Sequence, residues 1–300
     1  PMNLYISQYA GNEAPAGFLS ALTILLLFSM MGSRNTLWRA AVLTGAVWGL
    51  ALLTKATAIL LAAPVMLVLL VVNAREDDRR AGMKRLFIGA AILFGAAFLI
   101  SGWYYLRNWL ELGRPFIGGW DTARGISWWQ DPGYRTPGHF LTFGQALWYP
   151  VYSGMWSFWD GIYSTFWADG YLSGIILLEY APPWNYSLML SCMWLALLPS
   201  ACILLGLVAC FRANEDASSW GVRLAMFCFL VYGLALFHHF LTNPNYCASK
   251  AFYTVGVTPC YAVLAASGAG LLTRRPAVRA LVYGGLACWA VTSYAAYFVV

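Results

Sequence analysis

Residues 37–72 read LWRAAVLTGAVWGLALLTKATAILLAAPVMLVLLVV, and within them only Arg39 and Lys55 are charged. A helix needs about 20 mostly apolar residues, with a range of roughly 17–25, to cross the hydrocarbon of a bilayer. The runs Leu37–Leu53 and Ala56–Val72, on either side of Thr54-Lys55, sit at the short end of that range. They are either two spans joined by a very tight turn, or one span and a re-entrant segment. Loop charge favours two crossings. Fused into one, the runs would put Arg34 and Arg39 on the opposite side of the membrane from the Arg75–Arg85 cluster; as two, they leave all of these cations on one side, as the positive-inside rule requires.

Outward from this pair, six further stretches meet or approach the same criterion: Ala14–Met31, Leu86–Leu106, Leu188–Phe211, Val222–Leu241, Ala251–Leu272 and Val278–Val300. The chain is 61% hydrophobic and 10% charged, with a mean hydropathy of +0.64. A soluble domain carries about 25% charged residues, so lipid must be the solvent for much of this surface. The expected fold is an all-α polytopic transmembrane protein of about eight spans, a single membrane domain over residues 1–300 with both ends outside. Inside loops then hold Arg34, Arg39, Arg75, Arg79, Arg80, Lys84, Arg85, Arg212, Arg223, Arg274, Arg275 and Arg279. Outside remain Lys55, Arg107, Arg114, Arg124, Arg135 and Lys250. This bias accounts for the net charge of +6 without a nucleic-acid partner. The seven cysteines show no CxxC pairing, and most lie in apolar runs, where Cys acts as a small hydrophobe. Only Cys247, in a polar loop, is a candidate for reactivity. Because the chain begins at Pro1 rather than Met, a fragment or trimmed product is expected.

One connection differs from the rest. Residues 104–187 form an outer loop rich in Trp, Tyr, Gly and Pro, between the fourth and fifth spans. Its segment His139–Leu172 is apolar and aromatic but interrupted at Gly144, Pro150, Gly154, Gly161 and Gly170, too often for a spanning helix. Amphipathic helices at the interface, with aromatics at headgroup depth, fit it better. No internal repeat, heptad array or low-complexity tract is evident.

Ionisable residues near or within spans are costly, and each is a functional candidate by default. Glu13 precedes the first span in Gly11-Asn12-Glu13-Ala14-Pro15; it complements the helix dipole there, or serves as a carboxylate at the mouth of a cavity, a general base or metal ligand. Lys55 snorkels to the interface or holds an anion such as phosphate. Arg107, in Trp103-Tyr104-Tyr105-Leu106-Arg107-Asn108-Trp109, is an interfacial anchor or a bidentate phosphate clamp. Lys250 leads into an apolar helix, where a cation opposes the dipole, so a bound anion or a nearby carboxylate should compensate it. His238 and His239 end the sixth span; adjacent helical residues point about 100° apart, so hydrogen bonding by His239 suits them better than a shared metal. Of the loop carboxylates Asp121, Asp131, Asp160, Asp169 and Glu179, the aromatic-embedded Asp160 and Asp169 stand out. No Walker loop, GxSxG or CxxC appears, and no GxGxxG stands in a strand–helix context.

The arrangement resembles the GT-C membrane glycosyltransferases, closest to the protein-mannosyltransferase and aminoarabinose-transferase-like group of bacteria often called family 39. The residues that carry the likeness are Asn12-Glu13 opening a span, Gly49–Lys55 followed by an apolar run to Pro64, Trp103–Asn108, Ser157-Phe158-Trp159-Asp160-Gly161, and Lys250-Ala251-Phe252-Tyr253 with Pro259. The likeness spans most of the chain, and the order of these short motifs carries it better than any one of them. It implies transfer of a sugar from a polyprenyl-phosphate carrier to a lipid, glycan or protein acceptor at the outer face of a bacterial inner membrane. It also implies that the principal catalytic aspartate sits in a loop upstream of Pro1, that Glu13 is the second acidic position, and that Lys55, Arg107 and Lys250 hold the lipid-linked phosphate. Asp160 and His239 join them as substrate-binding candidates. A divalent metal serves some relatives of this fold and not others, and the spacing here supports none. The competing class is a transporter or flippase of a lipid-linked or anionic substrate, which usually shows repeats and midplane charges. A non-catalytic assembly subunit is a third.

Overall fold

A computed structural model of the chain describes residues 1–8, 11–32, 37–74, 78–117, 136–172, 181–211, 217–243 and 248–299. It is all-α, with no strand among the described residues. The helices are α1 (Met2–Ile6), α2 (Glu13–Gly32), α3 (Leu37–Thr54), α4 (Ala62–Ala74), α5 (Arg79–Leu112), α6 (Pro137–Leu141), α7 (Phe158–Trp167), α8 (Tyr186–Leu195), α9 (Leu197–Cys210), α10 (Ala217–Thr242), α11 (Thr258–Leu272) and α12 (Pro276–Phe298). Short 3-10 runs, Ala56–Leu61 and Ala251–Val257, lead into α4 and α11.

All eight expected spans are helical, and six segments of the described chain are long and apolar enough to cross a membrane. Those six do not include α3, whose apolar stretch Trp38–Thr54 is short, or α12, which has 23 residues. Both nevertheless traverse the bundle. Trp38 at the start of α3 lies beside Gly89 near the start of α5, while the other end of α3 meets the far part of α5, where the Tyr105 hydroxyl donates to Leu52 O at 2.6 Å. At the end of α12, Ala296 O accepts from Asn185 N at 2.9 Å and Tyr297 packs on Trp184.

Close helix approach depends on glycine in two places. A Cβ at Gly45 would collide with Leu93 O, and one at Gly49 would lie 2.9 Å from Ala97 O, so α3 rides directly on the backbone of α5. Gly206 and Gly268 let α9 and α11 meet in the same way, against Leu264 O and Cys202 O. Lipid offers no hydrophobic drive between helices, so small residues that bring backbones together carry association.

The break at Thr54-Lys55 is a full reversal. The Trp48 indole N–H donates to Ala58 O at 2.8 Å, whereas ten residues of continuous helix would separate these positions by about 15 Å. Lys55 is extended (φ −155°, ψ 128°), and Ala58 N–H donates to its carbonyl to start the 3-10 run. Lys250 does the same (φ −106°, ψ 110°), with Tyr253 N–H on its carbonyl. Each lysine follows a hydroxyl residue, precedes alanine and has proline nine positions on: Thr54-Lys55-Ala56 with Pro64, Ser249-Lys250-Ala251 with Pro259. Proline lacks an N–H for the preceding turn but suits the first turn of a new helix. At Pro259 the Thr258 hydroxyl takes up the spare carbonyl of Val255 at 2.6 Å. The two segments are thus alike locally, without amounting to an internal repeat.

The outer connection begins as helix: the aromatic turns Tyr104–Leu112 continue α5 until Gly113 closes it in the left-handed region (φ 72°). Within His139–Leu172, the exposed aromatics are Phe143, Trp148, Tyr149, Trp156 and Trp159, while α7 itself is largely enclosed through Phe158, Tyr163 and Trp167. Tyr163 donates to Met193 O at 2.7 Å; burial, with Cys192 nearby, pushes its phenol well above the ordinary value, so it remains a donor to α8.

Candidate functional site

The first turn of α2, the reversal at Lys55 and the Lys250 segment converge at one end of the bundle. The Lys55 ammonium donates to Glu13 Oε1 at 2.7 Å, with both side chains less than a third exposed. It also sits 5.1 Å from the centre of the Tyr253 ring. Asn12 donates to Thr54 O, which ties the start of α2 to the reversal. A half-buried lysine is costly unless paired, and Glu13 supplies the pair. The two residues line a small cavity of about 20 Å³, room for a single water, with Ser20, Thr57 and Tyr232 around it.

Glu13 also faces a second, larger cleft of about 290 Å³, which it shares with Tyr5, Asp169, Tyr171, Lys250 and Phe252. The Lys250 ammonium lies 5.2 Å from the Tyr171 ring centre and 5.5 Å from that of Phe252. Among the described residues no carboxylate is within ion-pairing distance of it. The segment is held from α7: Thr165 Oγ1 accepts from Ala251 N at 2.7 Å, and its own carbonyl accepts from the Tyr5 hydroxyl. Tyr171 and Ser249 hydroxyls meet at 3.1 Å. The outer segment thus builds one wall of the cleft, α1 and α2 the other.

The remaining candidates lie elsewhere. Asp160 is buried at 1% exposure, and its carboxylate accepts from Gly144 N, Ala146 N and the Ser157 hydroxyl at 2.7–2.9 Å. With Ser157 Oγ accepting from Asp160 N as the N-cap of α7, the pair closes the start of that helix and pins the 144–146 turn to it. Asp160 lines neither cavity. Arg107 is half-exposed, with Glu111 3.7 Å from its Nε and the Tyr104 ring beneath its guanidinium, and it too lines neither cavity. His239 packs edge-on to Tyr253 (5.3 Å between ring centres) and meets the Asn243 amide, and it lines neither cavity. Asp121, Asp131, Glu179 and Cys247 lie outside the described residues. Among the described residues, no group of three His, Cys, Asp or Glu side chains is placed to hold a metal ion.

Sequence reasoning named Asp169 but passed it over for Asp160, and it missed Tyr5 and Tyr171. A signal was present: Ser157-Phe158-Trp159-Asp160 has capping-box spacing, which assigns Asp160 to its own helix and leaves Asp169 as the carboxylate to explain. Nothing in the pattern brings Tyr5 next to residue 169. The chain matches no protein-family model, no curated protein and no solved structure.

Proposed function

We propose that this chain is a glycosyltransferase that moves a sugar from a polyprenyl-phosphate carrier to an acceptor at the outer face of a bacterial inner membrane. One observation carries the reading: a cleft at a single end of a transmembrane bundle gathers Glu13, Asp169 and Lys250 with three aromatic rings. Carboxylates suit sugar hydroxyls, ring faces suit the apolar faces of pyranoses, and an ammonium suits phosphate. Lys55 already offsets Glu13, and Lys250, with no carboxylate in ion-pairing distance among the described residues, is left to a ligand's anion. A single ammonium suits a singly charged phosphodiester.

In the proposed step the acceptor hydroxyl oxygen bonds to the anomeric carbon while the bond from that carbon to the phosphate oxygen breaks. The electron pair leaves with the phosphate, whose charge goes from −1 to −2, and Glu13 takes the hydroxyl proton. Fixed positive charge at Lys250 stands where this negative charge grows, which is what lowers such a barrier. Lys55 orients Glu13 rather than holding the phosphate. The test is reconstitution with radiolabelled polyprenyl-phosphate sugars: release of the carrier phosphate is expected. Transport of the substrate without bond cleavage would support the transporter reading instead.

A further inference from the structure

We infer that Ser20 and Tyr232 hold a single water on the Lys55 ammonium, and that this water fixes the Lys55–Glu13 pair. The pair's part in turnover rests on the glycosyltransferase reading; the water site does not. Ser20 on α2 is 5% exposed and Tyr232 on α10 is 4% exposed, and both line the cavity of about 20 Å³ with Lys55 and Glu13. Hydroxyls inside these helices ordinarily turn back to the carbonyl four residues earlier, as those of Thr23, Thr54 and Ser101 do at 2.8–2.9 Å. The nearby phenol of Tyr261 donates to Thr254 Oγ1 at 2.7 Å. Among the described residues, the hydroxyls of Ser20 and Tyr232 have no such protein partner. A buried hydroxyl needs one, and in a polar cavity of this size water supplies it.

The Lys55 ammonium has three N–H groups. One donates to Glu13 Oε1 at 2.7 Å, and the Tyr253 ring centre lies 5.1 Å from the nitrogen. A water in the cavity accepts from a further N–H and from the Tyr232 hydroxyl, and donates to Ser20 Oγ. Three partners is the ordinary number for a buried water. The walls cannot close over the space instead. A Cβ at Gly17 would lie 2.8 Å from Val255 Cγ1, and one at Gly256 would lie 2.5 Å from Ser20 Cβ, so α2 already meets the 3-10 run Ala251–Val257 as closely as it can. Tyr232 does not line the larger cleft. It is a positioning residue, acting on Glu13 through the water and Lys55.

The experiment uses the full chain crystallised from lipid, at a resolution that shows waters, with turnover of a radiolabelled polyprenyl-phosphate hexose measured in nanodiscs. Wild type is expected to show one ordered water in hydrogen-bond reach of Lys55 Nζ, Ser20 Oγ and Tyr232 OH. Tyr232→Phe removes one oxygen; it should lose this water and lengthen or divide the Lys55–Glu13 contact. Its kcat should fall roughly two- to tenfold, the worth of about one hydrogen bond, with KM for the donor kept. Ser20→Ala, on the other wall, should do the same. An empty cavity in wild type overturns the inference, and so does an unchanged Lys55–Glu13 contact in both variants. A rise in KM with kcat kept also overturns it, since that places Tyr232 on donor binding rather than on Glu13. If wild type releases no carrier phosphate, the transferase reading fails by itself, and the water and the Lys55–Glu13 contact still decide the inference.

Discussion

Lys55 and Lys250 arrive at the same end of the bundle in the same way and find different neighbours there. Each is a single extended residue, followed by a 3-10 run and then by a helix whose first turn contains proline. Their ammonium groups rest on the adjacent rings of Tyr253 and Phe252, whose centres are 4.6 Å apart. Lys55 is paired with Glu13 at 2.7 Å; Lys250 faces open volume between aromatic rings. Local backbone therefore brings a lysine to the cleft, and tertiary partners decide what it does there. One cation holds a carboxylate in place, and the other is available to a ligand's anion.

The largest expected effect comes from the carboxylate both cavities share. Glu13→Gln should lower carrier-phosphate release by about 10²–10⁴-fold, the range for loss of a general base, with bare-carrier binding changed far less. A drop of only a few-fold would make Glu13 merely the counter-ion of Lys55. Next is the direct contrast between the lysines. Lys250→Ala should weaken binding of polyprenyl phosphate by roughly 10–100-fold, as expected when a hydrogen bond to a charged group is lost, and leave the melting temperature nearly unchanged. Lys55→Ala should reverse that balance, with turnover lost through a misplaced Glu13 and binding weakened only slightly. Equal binding losses in the two variants would abolish the division of roles and return Lys55 to the phosphate, as the sequence alone suggests.

Asp160 and Asp169 repeat the contrast in carboxylates. Asp160→Ala leaves Gly144 N, Ala146 N and the Ser157 hydroxyl without their acceptor, and removes the side chain that closes the cap of α7. A loss of roughly 2–4 kcal/mol is expected, read as lower thermal stability in detergent. Asp169→Asn should cost less than this, since an amide oxygen still accepts from Tyr171 N.

These pairs also mark what the sequence made legible. Among the described residues, hydropathy located all six segments long and apolar enough to cross a membrane, because lipid enforces runs of apolar residues whatever the tertiary contacts. It also placed the reversal at Thr54-Lys55, where charge interrupts two such runs. It shortened α5, whose charged first turns, Arg79–Arg85, and aromatic last turns, Tyr104–Leu112, lie beyond the apolar core. The site was legible as a list of ionisable residues near one end, and only in part as a constellation. Glu13, Lys55 and Lys250 do meet; Arg107, Asp160 and His239 stay outside both cavities. That sorting depends on contacts such as Tyr5 with Thr165, 160 residues apart, which no local pattern encodes.

The smallest expected effect tests whether the matching backbones matter at all. Pro64→Ala and Pro259→Ala each restore an N–H that lets α-helix extend backward into the 3-10 run. Rise falls from about 2.0 Å to 1.5 Å per residue on that change, so conversion of the six-residue run after Lys55 or the seven-residue run after Lys250 would move its lysine by roughly 3 Å. Stability should change by no more than about 1 kcal/mol, because proline in a first helical turn costs little and gains little there. At Pro64 the shift draws Lys55 off Glu13, and turnover should fall several-fold with carrier affinity kept. At Pro259 it moves Lys250 within the cleft, so affinity should fall and turnover of bound donor remain. Each substitution would then reproduce, more weakly, the loss seen on removing its own lysine. If both variants act like wild type, the two 3-10 runs are only the local response to proline, and the likeness between the lysine segments has no bearing on the site.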